Sequence, residues 1–95
     1  MKELAELRQE LDLMDREIVA LFERRMAVSR QVAQYKLDHD LPVLDASREA
    51  QVIATREAML TDAALAPSLR TLFETILSLS RQEQEAFLQE VRGDA

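Results

Sequence analysis

Glycine, proline and aromatic residues are scarce in this sequence, which holds one Gly, two Pro and 4% aromatic residues among 95 positions. β-Strands are enriched in aromatic residues, and the turns that join them commonly need glycine. A chain of this composition is poorly suited to forming a sheet. The scarcity therefore favours an all-α fold, and the length suits one domain.

Cysteine and long apolar runs are absent as well. Without cysteine the chain can form no disulfide and no thiolate metal site. The first ten residues, MKELAELRQE, are charged from the second position onward, unlike a secretory signal or a membrane span. We therefore expect a cytoplasmic protein.

An excess of basic residues is also missing, because 18 acidic and 12 basic side chains give a formal net charge of −6. Binding to a phosphate backbone needs a surplus of cations on one face. The charge thus argues against a nucleic-acid partner. Any cluster of cations must be local, and a local cluster suits a small anion.

Three helices are predicted from the apolar pattern and its interruptions. The first runs from about residue 2 to about residue 37 without Gly or Pro, and ends in the segment DHDLP, whose proline cannot continue a helix. Asp45 is a suitable N-cap for a shorter second helix that reaches Met59. Pro67 fits the first turn of a third helix.

The first helix is too long for a compact monomer. About 35 residues span roughly 50 Å, whereas a domain of this size is roughly 35 Å across. Its heptad seam would be exposed wherever the helix protrudes; the seam residues are Leu4, Leu7, Leu11, Met14, Ile18, Leu21, Val28, Val32 and Tyr35. We therefore predict a homodimer in which the long helices pack together. We expect one domain at residues 1–91 and a disordered tail at residues 92–95.

Polar residues interrupt these apolar stripes. Arg25 occupies the seam position between Leu21 and Val28. On the third helix, steps of three and four residues along the stripe reach Ser80 and then Gln84. Taken alone, Arg25 could simply fix helix register, and Ser80 could bond a carbonyl of its own helix. Their joint spacing is what points to a site.

Antiparallel pairing of two long helices would bring together cations that one helix keeps apart. Arg8 and Lys36 lie roughly 42 Å apart along a straight helix, so they can share a small ligand only across a dimer. Such a pocket suits a dicarboxylate, because arginine grips carboxylates with two parallel hydrogen bonds. The predicted lining is Arg25, Lys36 and Arg48 of one chain, the partner's Arg8, and Ser80 and Gln84. The site offers no cysteine and no Ser-His pair, which leaves positioning and electrostatics as the means of catalysis.

Four segments of the chain resemble the all-helical chorismate mutases. They are LRQELDLMDREIVALFERR at 7–25, the lysine of QVAQYK, PVLDASRE at 42–49 and LFETILSLSRQEQ at 72–84. The family's active-site positions map onto Arg8, Arg25, Lys36, Asp45, Arg48, Glu49, Ser80 and Gln84. The resemblance implies an intertwined homodimeric bundle with three helices per subunit, one long, one short and one long. It also implies the monofunctional form, without an appended prephenate dehydratase or dehydrogenase domain.

The resemblance further implies a reaction, the pericyclic Claisen rearrangement of chorismate to prephenate in aromatic amino acid biosynthesis. No cofactor, metal or covalent intermediate is expected. By this resemblance Lys36 and Gln84 would donate hydrogen bonds to the ether oxygen that breaks. Glu49 and the backbone of Asp45 would hold the ring hydroxyl.

The substrate carboxylates would be bound by Arg25 and the partner's Arg8, with help from Arg48 and with Ser80 supporting one carboxylate. Two other interpretations stay open. An isochorismate pyruvate-lyase of the same fold would bind a related dianion, although the acidic Glu49 favours the mutase. A non-catalytic helical dimerisation module would use the same polar residues only to fix register.

Overall fold

The described part of the chain is helical apart from short connections. The computed structural model describes residues 1–93; Asp94 and Ala95, which belong to the predicted tail, lie outside the described residues. In chain order the elements are α1 (Leu4–Asp38), α2 (Ala46–Glu57), a one-turn 3₁₀ helix (Ala63–Leu65) and α3 (Ala66–Val91). Residues 1–93 contain no strand, which confirms the predicted all-α fold. The assignment of residues 1–91 to a single domain stays a prediction.

The first helix ends in a turn built around Asp40, whose φ of 53° lies in the left-handed region. The N–H of Leu41 donates to the carbonyl of Lys36 at 2.8 Å, and the N–H of Asp40 donates to that of Leu37 at 3.4 Å. This pair of bonds is a Schellman motif, which satisfies carbonyls at a helix end. Aspartate adopts the left-handed conformation more readily than most residues, so the segment DHDLP ends the helix.

The boundaries of α2 and α3 follow from their caps. The carboxylate of Asp45 accepts a backbone N–H of the first turn of α2 at 3.0 Å, which confirms the predicted N-cap. The predicted extension to Met59 is wrong. The helix ends at Glu57, and the N–H of Met59 donates to the carbonyl of Arg56 at 3.1 Å in a tighter turn. Pro67 lies in the first turn of α3, as predicted.

The core lies where α3 packs along the C-terminal half of α1 and α2 packs on α3. The side chains buried there are Ser29 and Ala33 of α1, Val52 of α2, and Leu77, Ser80, Gln84 and Leu88 of α3. Ser29, Ser80 and Gln84 are thus polar members of a small core. Because buried polar groups need hydrogen-bond partners, this core carries a polar network in its centre.

The isolated chain is elongated and leaves much apolar surface uncovered. Its extents are 56 × 29 × 16 Å and its radius of gyration is 17.0 Å, against about 12 Å for a compact domain of this length. It exposes 7426 Å², whereas a compact monomer of this mass exposes about 5,600 Å². The seam of α1 is exposed from Leu4 to Tyr35, which confirms that the long helix protrudes.

None of the helices within residues 1–93 combines the length and the apolar character that a membrane span requires.

Candidate functional site

A cavity of about 320 Å³ lies between the C-terminal half of α1, the first turns of α2 and the middle of α3. This volume suits a small organic ligand. Valines of α1, α2 and the connecting loop, together with Leu77, form its apolar walls. Seven of the eight predicted site residues line it: Arg25, Lys36, Asp45, Arg48, Glu49, Ser80 and Gln84.

The remaining predicted residue, Arg8, lies outside this cavity. It is exposed on the first turns of α1, and the straight helix separates it from Arg25 by roughly 25 Å. The single chain therefore does not bring Arg8 to the cavity. This agrees with the expectation that Arg8 and Lys36 can share a small ligand only across a dimer. Its action across a dimer stays a prediction.

A series of hydrogen bonds connects side chains that line the cavity, and the donor and the acceptor of each bond can be assigned. Ser29 Oγ donates to the carbonyl of Arg25 at 3.0 Å, which uses its single proton. The 2.6 Å contact between Ser29 Oγ and Ser80 Oγ must then be donated by Ser80. Gln84 Nε2 donates to Ser80 Oγ at 3.3 Å. Ser80 thus bonds across to α1, rather than to a carbonyl of its own helix.

Lys36 lies at the other end of this series of hydrogen bonds and fixes the orientation of Gln84. Its Nζ donates to Gln84 Oε1 at 3.1 Å and also to the carbonyl of Val43 in the loop before α2. The amide of Gln84 is therefore held with its oxygen toward Lys36 and its nitrogen toward Ser80. An ammonium group has three protons and an amide nitrogen has two. One proton of Lys36 and one of Gln84 therefore remain for a ligand, on neighbouring donors.

The guanidinium group of Arg25 interacts electrostatically with those of Arg48 and Arg56, and Arg25 and Arg48 line the cavity. Arg25 is partly buried, and its burial, followed by the charges of Arg56 and Arg48, lowers its pKa. It stays cationic, because arginine does not deprotonate in proteins. Arg48 is exposed and its guanidinium donates to Gln51 Oε1 at 3.2 Å. The repulsion within this group would be relieved by a bound anion.

The two predicted carboxylates have different partners. The side chain of Asp45 caps α2, as described above, while its carbonyl accepts the N–H of Glu49 at 3.0 Å. Glu49 is partly buried and forms an ion pair with Arg81, which follows Ser80 on α3. Glu49 is therefore oriented by a cation from the facing helix.

The charges of the lining match those of a dicarboxylate. Four cationic side chains and two carboxylates line the cavity, which leaves an excess of two positive charges. In a partly desolvated site, such an excess attracts a dianion more strongly than it would in water. The arrangement can grip two carboxylates, and it can present hydrogen-bond donors to a third position.

Sequence reasoning missed two residues of the lining, Ser29 and Arg81, and one cation that acts on Arg25, namely Arg56. Ser29 follows Arg25 by four positions and so shares its helix face, a signal that was present in the sequence. Arg56 lies one helical turn beyond the buried Val52 of α2, so its proximity to Arg25 could have been inferred. Arg81 gave no such signal, because its pairing with Glu49 depends on how α2 packs on α3.

The comparisons with known proteins agree with this geometry. The family described as chorismate mutase type II matches residues 7–85. A T-protein of Haemophilus influenzae is 38% identical over 56 residues, which are 59% of this chain and 15% of that protein. The chain thus aligns with a small part of that relative's length. No solved structure matches. Because the family match covers most of the chain, including every predicted site residue, the predicted resemblance is confirmed: the chain belongs to the type II chorismate mutase family.

Proposed function

We propose that this protein is an isomerase that converts chorismate to prephenate by a Claisen rearrangement. The observation that carries the proposal is the pair of donors on Lys36 and Gln84. A 3.1 Å hydrogen bond from Lys36 Nζ to Gln84 Oε1 joins the two side chains, in a cavity with two excess positive charges. Membership of the chorismate mutase type II family supports the same reaction. Chorismate is a dicarboxylate whose ether bond breaks during the reaction, so its chemistry fits both features.

The mechanism needs positioning and electrostatics alone. In the rearrangement one C–O bond breaks while one C–C bond forms, and no proton or leaving group is transferred. Negative charge builds on the ether oxygen, where the free protons of Lys36 and Gln84 stabilise it. A donor that is oriented in advance in a dry site contributes about 3–4 kcal/mol to such stabilisation.

The carboxylates are bound by Arg25 and Arg48, and by the partner's Arg8. Gripping both carboxylates holds the substrate in the chair conformation in which its reacting carbons meet. Ser80 supports a carboxylate only if its hydroxyl turns away from Ser29, because its proton is engaged at 2.6 Å in the free chain. In the free protein its part is to orient Gln84, whose amide donates to it.

The ring hydroxyl is held by Glu49 and by the backbone N–H of Asp45. The side chain of Asp45 caps α2 and its carbonyl accepts from Glu49, which leaves the N–H for the substrate. The carboxylate of Glu49 can accept from the hydroxyl while it keeps its ion pair. These contacts bind ground state and transition state alike, so their loss should appear mainly in KM.

The active form is a homodimer. The exposed area of 7426 Å² exceeds that of a compact monomer by about 1,800 Å². Two chains that cover this excess would bury about 3,600 Å², which lies in the range of obligate dimers. The uncovered seam of α1 supplies the apolar surface for such an interface. Antiparallel α1 helices would then carry Arg8 of each chain to the cavity of the other.

The experiment that tests the function supplies the purified protein with chorismate and, separately, with isochorismate. Substrate loss is followed in the ultraviolet and the products are identified. Prephenate from chorismate is the expected result. Pyruvate from isochorismate would instead identify a lyase. If neither substrate gave a product, the remaining interpretation would be a non-catalytic dimerisation module. Light scattering on the same sample measures the mass, and a monomer would contradict the proposed dimer.

A further inference from the structure

Arg81 lines the cavity but has no part in the mechanism proposed above. It lies on α3 between Ser80 and Gln84, and its guanidinium forms an ion pair with Glu49 in the first turn of α2. The side chains are 35% and 22% exposed, so both lie partly out of water. Ion pairs in such places are stronger than fully exposed ones.

The position of Glu49 makes a partner necessary. An unpaired carboxylate beside a bound dicarboxylate would repel it, and the repulsion grows as the site is desolvated. Arg81 cancels this charge. It also restricts the carboxylate to orientations that keep the ion pair, so that Glu49 faces the ligand in one arrangement.

We infer that Arg81 is a positioning residue, which holds Glu49 in place to accept the substrate's ring hydroxyl and offsets its charge. The inference rests on the proposed function. Arg81 acts through Glu49 in this scheme and does not itself bind the substrate. Its side chain, with Val43, also separates the cavity from a solvent-open groove on the outer face of α3, so a test variant should keep a long side chain.

A second ion pair provides a matched control. Arg70 of α3 lies 2.8 Å from Glu57 of α2, so it joins the same two helices, and neither residue lines the cavity. If Arg81 only clamps α2 to α3, then losing Arg70 should have a comparable effect on activity. If Arg81 orients Glu49, only its own loss should reduce kcat/KM.

The test measures steady-state turnover of chorismate by the wild type, R81M, R81K, R70M, E49Q and the double variant R81M/E49Q. Methionine keeps the length of the side chain and removes its charge. We expect R81M to lower kcat/KM about tenfold, mostly through KM, since neighbouring charges couple by amounts of this order. R81K should stay within about threefold of the wild type and R70M within about twofold, because the first keeps the charge and the second leaves the cavity intact.

The double variant decides whether Arg81 acts through Glu49. Once Glu49 is replaced by glutamine, the further change R81M should lower kcat/KM by less than about threefold. An equal loss in both backgrounds would overturn the inference and mean that Arg81 contacts the substrate. Unchanged activity of R81M, or an equal loss in R70M, would also overturn it. Circular dichroism and urea unfolding at one protein concentration show that each variant is folded.

The outcome for the wild type separates this inference from the proposed function. A wild type that does not convert chorismate overturns the proposed function, and this inference with it. An active wild type with an R81M variant of equal activity overturns only the role of Arg81.

Discussion

The two halves of α1 carry the same apolar heptad pattern but differ in how far the rest of the chain buries their side chains. Every residue from 1 to 24 is exposed in the isolated chain, whereas residues 25 to 38 include the buried Ser29 and Ala33 and the partly buried Arg25 and Lys36. In the second half, α3 of the same chain packs on the face that carries Ser29 and Ala33, while the seam residues Val28, Val32 and Tyr35 stay exposed. Within residues 1–93, no element buries any residue of the first half.

The difference between the halves lies beside the seam, which is exposed in both: a heptad seam specifies a helix and an apolar face, but does not specify what covers that face. It also divides the proposed site. Seven predicted residues lie around the covered half and its neighbours, and Arg8 lies on the uncovered half. The covered half can be tested within one chain, while the uncovered half needs a second chain.

The largest effect is expected in the covered half, at Lys36. Lys36→Met removes the proposed donor to the ether oxygen and keeps the length of the side chain. We expect kcat/KM to fall about a thousandfold, since a donor of this kind contributes two to three orders of magnitude. Turnover of chorismate measures the loss, with R70M as the control for removing a cation outside the cavity. Normal turnover by the Lys36 variant would contradict its role.

The uncovered half is tested by mixing two inactive variants. We expect Arg8→Ala and Lys36→Ala each to lose about a hundredfold or more in kcat/KM, because each removes a proposed charged contact to the substrate. Unfolding and refolding them together forms heterodimers, in which one pocket has both residues intact. Random pairing would make about one quarter of all pockets functional. Native mass spectrometry counts the heterodimers. If they form without regaining activity, Arg8 does not act across the dimer.

A smaller effect, dependent on pH, is expected from Gln84→Glu. The amide donates at any pH, whereas a carboxyl group can donate only when it is protonated. The activity of this variant should therefore rise as pH falls, by up to about tenfold per unit above the pKa of the new carboxyl. The wild type should show no such rise, because Gln84 does not titrate. A variant whose pH profile parallels that of the wild type would count against donation from this position.

The last effect is expected on stability and not on activity, and it tests whether the exposed seam is covered in solution. Leu11 lies on the seam and Leu13 lies off it, and both are similarly exposed in the isolated chain, at 55% and 59%. If a second chain covers the seam, Leu11→Ala should lower the free energy of unfolding by about 2–4 kcal/mol and Leu13→Ala by less than about 1 kcal/mol. Urea unfolding at matched concentrations measures both, and equal small losses would indicate an uncovered seam.

Much of this molecule could be predicted because it depends on local rules. Interruptions and caps placed the helices, with Asp45 as the N-cap and Pro67 in a first turn. The error at Met59 arose because apolar spacing continues into a turn that closes with shorter-range bonds. The partners of Ser80 and Glu49 could not be predicted, since they are side chains of other helices and their distances depend on packing.

The sequence by itself determined the helices, the apolar stripes and the polar residues that interrupt them, because these depend on neighbours within a turn or two of the same helix. Only the tertiary structure decided that Ser29 accepts from the hydroxyl of Ser80 and that Arg81 pairs with Glu49. The physical reason is range. A hydrogen bond or ion pair between helices requires two side chains to meet within about 3–4 Å, and the packing of whole helices sets that distance.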